Sequence, residues 1–187
     1  MTPQEILQEV NKISIKTGVD TVILTGGEPL IQPHDELQTL LFLLTDHEKY
    51  AVHLETNGTI YDPVKTPNIL RFIDTIVVSP KPPSSGQKFD ESAFDNIMWY
   101  ETVHGYEPEK IIKVVVKDEK DYEFAVQIHR KYPNNIFIFQ TESEKAVDKS
   151  RVQWLVEKVL NDPRIQKSNV RVLVQMHKLI WGNRRGV

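Results

Sequence analysis

The chain has 187 residues, 40% of them hydrophobic, no cysteine, and 23 basic against 26 acidic side chains for a net charge of −3. A chain of this size buries roughly two-thirds of the surface its unfolded form exposes, which excludes disorder and points to one compact domain over residues 1–187. With no basic stripe for a phosphate backbone, no apolar run near the ~20 residues that span a bilayer, and no secretory segment at MTPQEIL, no direct nucleic-acid or membrane partner is expected and the location reads as cytoplasmic.

The first element reads as a helix over 3–17, with Thr2 as N-cap, Pro3 at the first helical position, Glu5 closing a capping box and Gly18 beyond the end. Ile6, Val10 and Ile13 form its apolar stripe. The β-branched run Thr21-Val22-Ile23-Leu24-Thr25 follows, too continuously apolar for a half-exposed strand, so it is expected to be buried on both faces as parallel strands are. A Gly-Gly turn ends it. Asp35 then reads as the cap of a second helix, on which Leu37, Leu40, Leu41 and Leu44 recur at amphipathic spacing. A strand over 51–56 comes next, and another over 73–79, which the prolines of Pro80-Lys81-Pro82-Pro83 stop because they lack a ladder donor.

Residues 84–108 are the least regular, with Ser84-Ser85-Gly86 expected to be mobile and a short helix expected over 91–103. After them the pattern predicts a strand over 110–116, a helix over 118–132 and a strand over 136–140. A last helix pair is expected over 148–161 and 169–181.

Repeated strand-then-helix order with buried parallel strands implies right-handed crossovers and either an open doubly wound sheet or a barrel, complete or partial. Both architectures bind ligands at the carboxyl ends of their strands. The sequences Gly26-Gly27-Glu28-Pro29, Glu55-Thr56-Asn57-Gly58, Ser79-Pro80-Lys81-Pro82-Pro83 and Gln140-Thr141-Glu142 all fall just after predicted strands, so one rim is expected to carry them. The first helix has no strand ahead of it, although a capped helix in this layout returns from one, so a missing first strand is expected.

Each motif also has an ordinary reading. Gly26-Gly27 offers backbone freedom and bare N–H groups, and Glu28 sets a carboxylate beside them to accept from an ammonium or hydroxyl; alone, they make a turn. Asn57-Gly58 is a common turn dipeptide, and Asn57-Gly58-Thr59 is read as a turn rather than a glycosylation acceptor. Ser79-Pro80-Lys81 is harder to assign to structure alone, because stiff prolines flanking a lysine hold its ammonium in place. The six histidines show neither paired metal-ligand spacing nor a triad pattern, and read as surface or satisfied core residues. The ending Trp181-Gly182-Asn183-Arg184-Arg185-Gly186-Val187 joins an aromatic, two guanidiniums and a carboxylate, groups suited either to a flat anionic heterocycle or to a solvated tail.

Taken in order, Gly26-Gly27-Glu28-Pro29, Glu55-Thr56-Asn57-Gly58, Ser79-Pro80-Lys81-Pro82-Pro83-Ser84 and the terminal Gln175-x-His177-x3-Trp181-Gly182-Asn183-x-Arg185-Gly186-Val187 resemble the 7-carboxy-7-deazaguanine synthases, radical S-adenosylmethionine (SAM) enzymes. The first motif alone marks the wider superfamily; the second proline loop and the ending make the match specific. The resemblance implies a partial (β/α) barrel lacking its first strand, the C-terminal part of the family fold. In the family, 6-carboxy-5,6,7,8-tetrahydropterin becomes 7-carboxy-7-deazaguanine by radical ring contraction with loss of ammonia, using SAM, a 4Fe-4S cluster and Mg2+. The implied cofactor contacts are Gly26, Gly27, Glu28, Glu55, Asn57, Ser79, Pro80, Lys81 and Gln140. Thr25 and the Val187 carboxylate are the implied contacts to the pterin substrate, and a homodimer is implied for the full-length enzyme.

The departure from the family is the cysteine loop. A thiolate-ligated cluster needs cysteines and this sequence has none, so the chain alone is expected to be inactive, as the remainder of a normal enzyme. The alternatives are a cluster-free SAM- or pterin-binding protein and a non-catalytic subunit that complements a cysteine-bearing partner.

Overall fold

The computed structural model describes residues 1–101, 107–143, 147–165, 169–182 and 184. It divides into two compact units, residues 1–78 with 90–110, and residues 79–89 with 111–187.

The first unit opens with α1 (Pro3–Thr17), and the expected capping box is present: Glu5 N–H donates to Thr2 Oγ1 at 3.3 Å, and Thr2 N–H to Glu5 Oε2 at 2.8 Å. Gly18 closes the helix in the left-handed conformation, at φ 72°. β1 (Thr21–Leu24), β2 (Ala51–Thr56) and β3 (Thr75–Val78) pair in parallel and in chain order, with Leu24 opposite Leu54 and Thr56 opposite Val78. α2 (His34–Phe42) continues as a π-turn over Leu43–His47, burying Leu37, Leu40, Leu41 and Leu44 as the leucine spacing requires. The core behind the strands is built on Val52, Leu54, Leu70, Ile76, Phe94 and Ile97, all 1% exposed or less.

Three expectations are corrected here. β1 is not buried on both faces: Ile23 is 55% exposed, because among the described residues β1 pairs with β2 alone and has the half-covered surroundings of an edge strand. Asp35 does not cap α2; the N-cap is Pro33, without a side-chain bond, and Asp35 lies inside the first turn. A helix absent from the sequence reading, α3 (Lys65–Leu70), carries Pro67 within its first turn, where a missing N–H costs nothing. The expected helix over 91–103 ends early, as α4 (Glu91–Met98) capped by Asp90, and residues 102–106 lie outside those described.

In the second unit β4 (Glu109–Val116, of which residues 111–116 belong to this unit), β5 (Ile136–Thr141) and β6 (Val170–Leu173) are again parallel and in chain order. α5 (Glu119–Lys131) is capped by Asp118 and α6 (Lys149–Asn161) by Asp148. Phe137, Phe139, Tyr122 and Trp154 make an aromatic cluster of tilted and edge-to-face pairs, with centroids 4.9 Å apart for Phe137 and Phe139 and 5.7 Å for Tyr122 and Phe139.

The expected helix over 169–181 is instead β6 followed by the short α7 (Met176–Trp181). The alternating run Val170-Arg171-Val172-Leu173 suits a ladder with β5 better than a helix, because β-branched side chains fit the pleat. The Ser84-Ser85-Gly86 segment is not loose: it forms a 3-10 turn, Pro83–Ser85, with Ser85 Oγ donating to the Pro82 carbonyl at 2.7 Å. The fold class drawn from the sequence, α/β of the partial (β/α) barrel type, holds at the level of each unit.

Candidate functional site

In the first unit, the turns after β1 and β2 meet at one side chain. Glu28 projects from the β1 turn; its Oε1 accepts from Thr56 Oγ1 at 2.8 Å and from Leu30 N–H at 3.1 Å, and its Oε2 accepts from Asn57 N–H at 2.8 Å. Thr56 Oγ1 in turn accepts from Gly58 N–H at 3.1 Å, and Asn57 Oδ1 accepts from the N–H and hydroxyl of Thr59 at 2.8 and 2.6 Å. Thr25 Oγ1 donates to Glu55 Oε2 at 3.4 Å. The two parallel strands thus end in a single hydrogen-bonded platform, with Glu28 as its brace.

What the platform presents is backbone. Thr25, Gly26 and Gly27 are exposed, and the two glycines sit at φ 92° and 54°, where an L side chain is strained. A Cβ on either would meet nothing within 4 Å, so the residue type is set by conformation and the space above the amides is open. Bare N–H groups in successive positive-φ positions form a concavity that attracts carboxylates and other anionic groups. Gly58, at φ 71°, differs: a Cβ there would lie 2.7 Å from Val78 Cγ1, so this glycine is needed for packing as well.

The second unit holds the other sequence-predicted residues. Pro80 and Pro82 are buried, with Ser79 and Lys81 half-buried beside them. Among the described residues Lys81 has no ion pair. Gln140 is half-buried on β5, opposite Val115 on one side and Leu173 on the other. Glu142, just past β5, pairs with Arg151 of α6. Val187 lies outside the described residues, as do Asn183, Arg185 and Gly186.

Two features escaped the sequence reading. Asp121, fully buried on α5, accepts from Ser84 N–H at 3.0 Å, from Ser84 Oγ at 2.5 Å and from Lys117 N–H at 3.0 Å. Its only signal in the sequence is an acidic residue in the first turn of a helix, which reads as a dipole effect. Behind the aromatic core, Tyr122 donates to Asp162 at 2.9 Å, and Arg164 grips both Asp162 and Glu123. The bond from Arg164 holds the Asp162 carboxyl well below its usual range, while burial pushes the Tyr122 hydroxyl up. Tyr122, Asp162 and Arg164 line a cavity of about 580 Å³, where their polar groups are taken up by bonds to one another and to Glu123.

Comparison with known proteins agrees with the motif order. The model of the Radical SAM superfamily matches residues 1–83. The chain is 33% identical to the 7-carboxy-7-deazaguanine synthase of Bacillus cereus and 32% identical to that of Bacillus subtilis, in each case over 100% of this chain and 76% of the relative. It is also 32% identical to the 7-carboxy-7-deazaguanine synthase of Methanopyrus kandleri, over 94% of this chain and 65% of that protein.

Proposed function

We propose, because the chain belongs to the 7-carboxy-7-deazaguanine synthase family of the radical SAM superfamily, that these 187 residues carry its ligand-binding part and that the cluster ligands come from elsewhere. The carrying observation is a contrast. The platform that offers Gly26 and Gly27 is fully braced, while the sequence contains no thiolate.

The residues present fit SAM and do not fit an iron–sulfur cluster. Bare amides at Gly26 and Gly27 suit the amino-acid end of SAM, and Glu55 and Asn57, on the same platform, suit its ribose. When bound, SAM supplies a cleavable carbon–sulfur bond. A 4Fe-4S cluster does not fit, because it needs cysteine ligands; Mg2+, which keeps several waters and takes one or two carboxylates, is given no ligands here. No step is assigned to either. Thr25 is proposed to contact a carboxylated pterin beside the same platform. Ser79, Pro80, Lys81 and Gln140 are proposed as the second unit's own ligand-contacting residues.

A homodimer is proposed for the full-length protein, and a cytoplasmic location. Among the described residues, no helix is long and apolar enough to cross a membrane.

Two measurements test this reading. Reconstitution of the chain with iron and sulfide is expected to give no stoichiometric cluster absorbance; a full 4Fe-4S spectrum overturns the division of labour. Calorimetric titration is expected to show SAM binding that Gly27→Val abolishes, and absence of binding by the unaltered chain sinks the ligand assignment. A stand-alone ligand-binding protein, favoured by the same lack of thiolates, is separated by adding a cysteine-bearing segment in trans. Product formation then supports the synthase reading.

A further inference from the structure

Asp121 is a carboxylate with 0% exposure, and among the described residues it has no ion pair with a basic side chain. Burying such a group is costly unless donors surround it, and three do: both the N–H and the hydroxyl of Ser84, and the N–H of Lys117 at the end of β4. Two of the three come from the proline loop, so the cost of burial is offset only while that loop is in place. One turn further along α5, Phe124 meets Phe89 edge-on at 5.2 Å. The segment from residue 79 to 89 is therefore attached to α5 at two points, three residues apart on the helix and so on one face. Between the chain's emergence at Ser79 and the Ser84 anchor lies Lys81, flanked by two buried prolines.

We propose that Asp121 is a positioning residue: its buried carboxylate fixes the segment over 79–89, and with it the Lys81 ammonium, for contact with a carboxylate-bearing ligand. The proposal rests on the reading of Lys81 as a ligand contact given above. The chemistry it names is shared by SAM and by a carboxylated pterin, whereas methylthioadenosine and plain pterin lack the carboxylate. The four probes therefore separate the two sources.

The test has two arms on the full chain. Hydrogen exchange followed by mass spectrometry reads the loop directly. Asp121→Asn removes the charge and turns one of the two acceptor oxygens into a donor that faces the N–H of either Ser84 or Lys117, and is expected to speed exchange of the segment over 79–89 by about tenfold or more, with β5 unchanged. Ser84→Ala removes one arm of the clamp at an exposed residue and carries the test if Asp121→Asn fails to fold. Wild-type exchange in the folded variants overturns the clamp.

The second arm is calorimetry with the four probes. Lys81→Met and Asp121→Asn are expected to weaken the same carboxylated probe by similar factors, leave its carboxylate-free counterpart unaffected, and add little to each other in the double variant. If Lys81→Met weakens binding while a folded, loosened Asp121→Asn binds as wild type, Asp121 is structural and the proposal is wrong. If Lys81→Met changes nothing, the earlier reading of Lys81 fails, and the ligand half of this proposal fails with it, whatever the exchange data say of the loop.

Discussion

Thr56 Oγ1 donates to Glu28 Oε1 at 2.8 Å, and the same hydroxyl accepts from Gly58 N–H at 3.1 Å. One threonine therefore ties the turn after β1 to the turn after β2, and the carboxylate beside two exposed glycines is consumed in bracing them. Glu28→Ala would leave a buried hydroxyl and the Asn57 N–H without their acceptor. The expected loss is about 2–4 kcal/mol in urea unfolding. A double-mutant cycle with Thr56→Val should return a coupling of about 0.5–3 kcal/mol, because the two residues share one bond.

Gly27 and Gly58 should not respond alike. Gly27→Ala meets only conformational strain, since nothing lies within 4 Å of its Cβ position, and should cost about 1–2 kcal/mol. Gly58→Ala adds a collision with Val78 Cγ1 at 2.7 Å and should cost about 2–4 kcal/mol in the same assay. Equal losses would show that the Gly58 turn moves away from Val78.

Acid should weaken the second unit in two stages. Burial lowers the His129 pKa, so below about pH 6.5 the unfolded chain takes up a proton that the fold refuses, and stability falls as pH drops. The Asp162 carboxyl is held low by its bond to Arg164; its contribution is present above about pH 4 and is lost as pH falls further toward its folded value. Thermal melts across this range should show His129→Leu flattening the first stage and Asp162→Asn the second. An unchanged profile in both variants would place the acid sensitivity in other groups.

Exposed apolar residues on the first unit predict self-association. Ile23 on β1 is 55% exposed, and Ile13 and Ile15 of α1 are 59% and 87% exposed. An edge strand with apolar side chains is a template for a second chain, and a charge on it blocks that pairing. Ile23→Lys should shift sedimentation toward monomer at fixed concentration. A wild-type chain that is already monomeric would remove the premise.

The sequence by itself determined the alternation of strands and helices, the capping box of α1, the leucine face of α2 and the placing of each odd motif at a strand end. These follow from local rules: side-chain period, cap chemistry and the missing donor of proline act within a few residues of chain. It also determined the absence of thiolates, which no folding can change.

Tertiary structure alone decided what the charged residues of those motifs do. Glu28 and Asp121 are ordinary acidic residues in the sequence. One becomes a brace because parallel pairing brings Thr56 and Asn57 to it across 28 and 29 positions, and the other a buried clamp because Ser84 reaches it across 37. Strand burial and the β6 assignment failed in the sequence for the same reason. Whether an apolar run is covered, and whether Val170–Leu173 finds β5 beside it, depends on neighbours distant in the chain, and a hydrogen bond or a buried face exists only once both partners are in place.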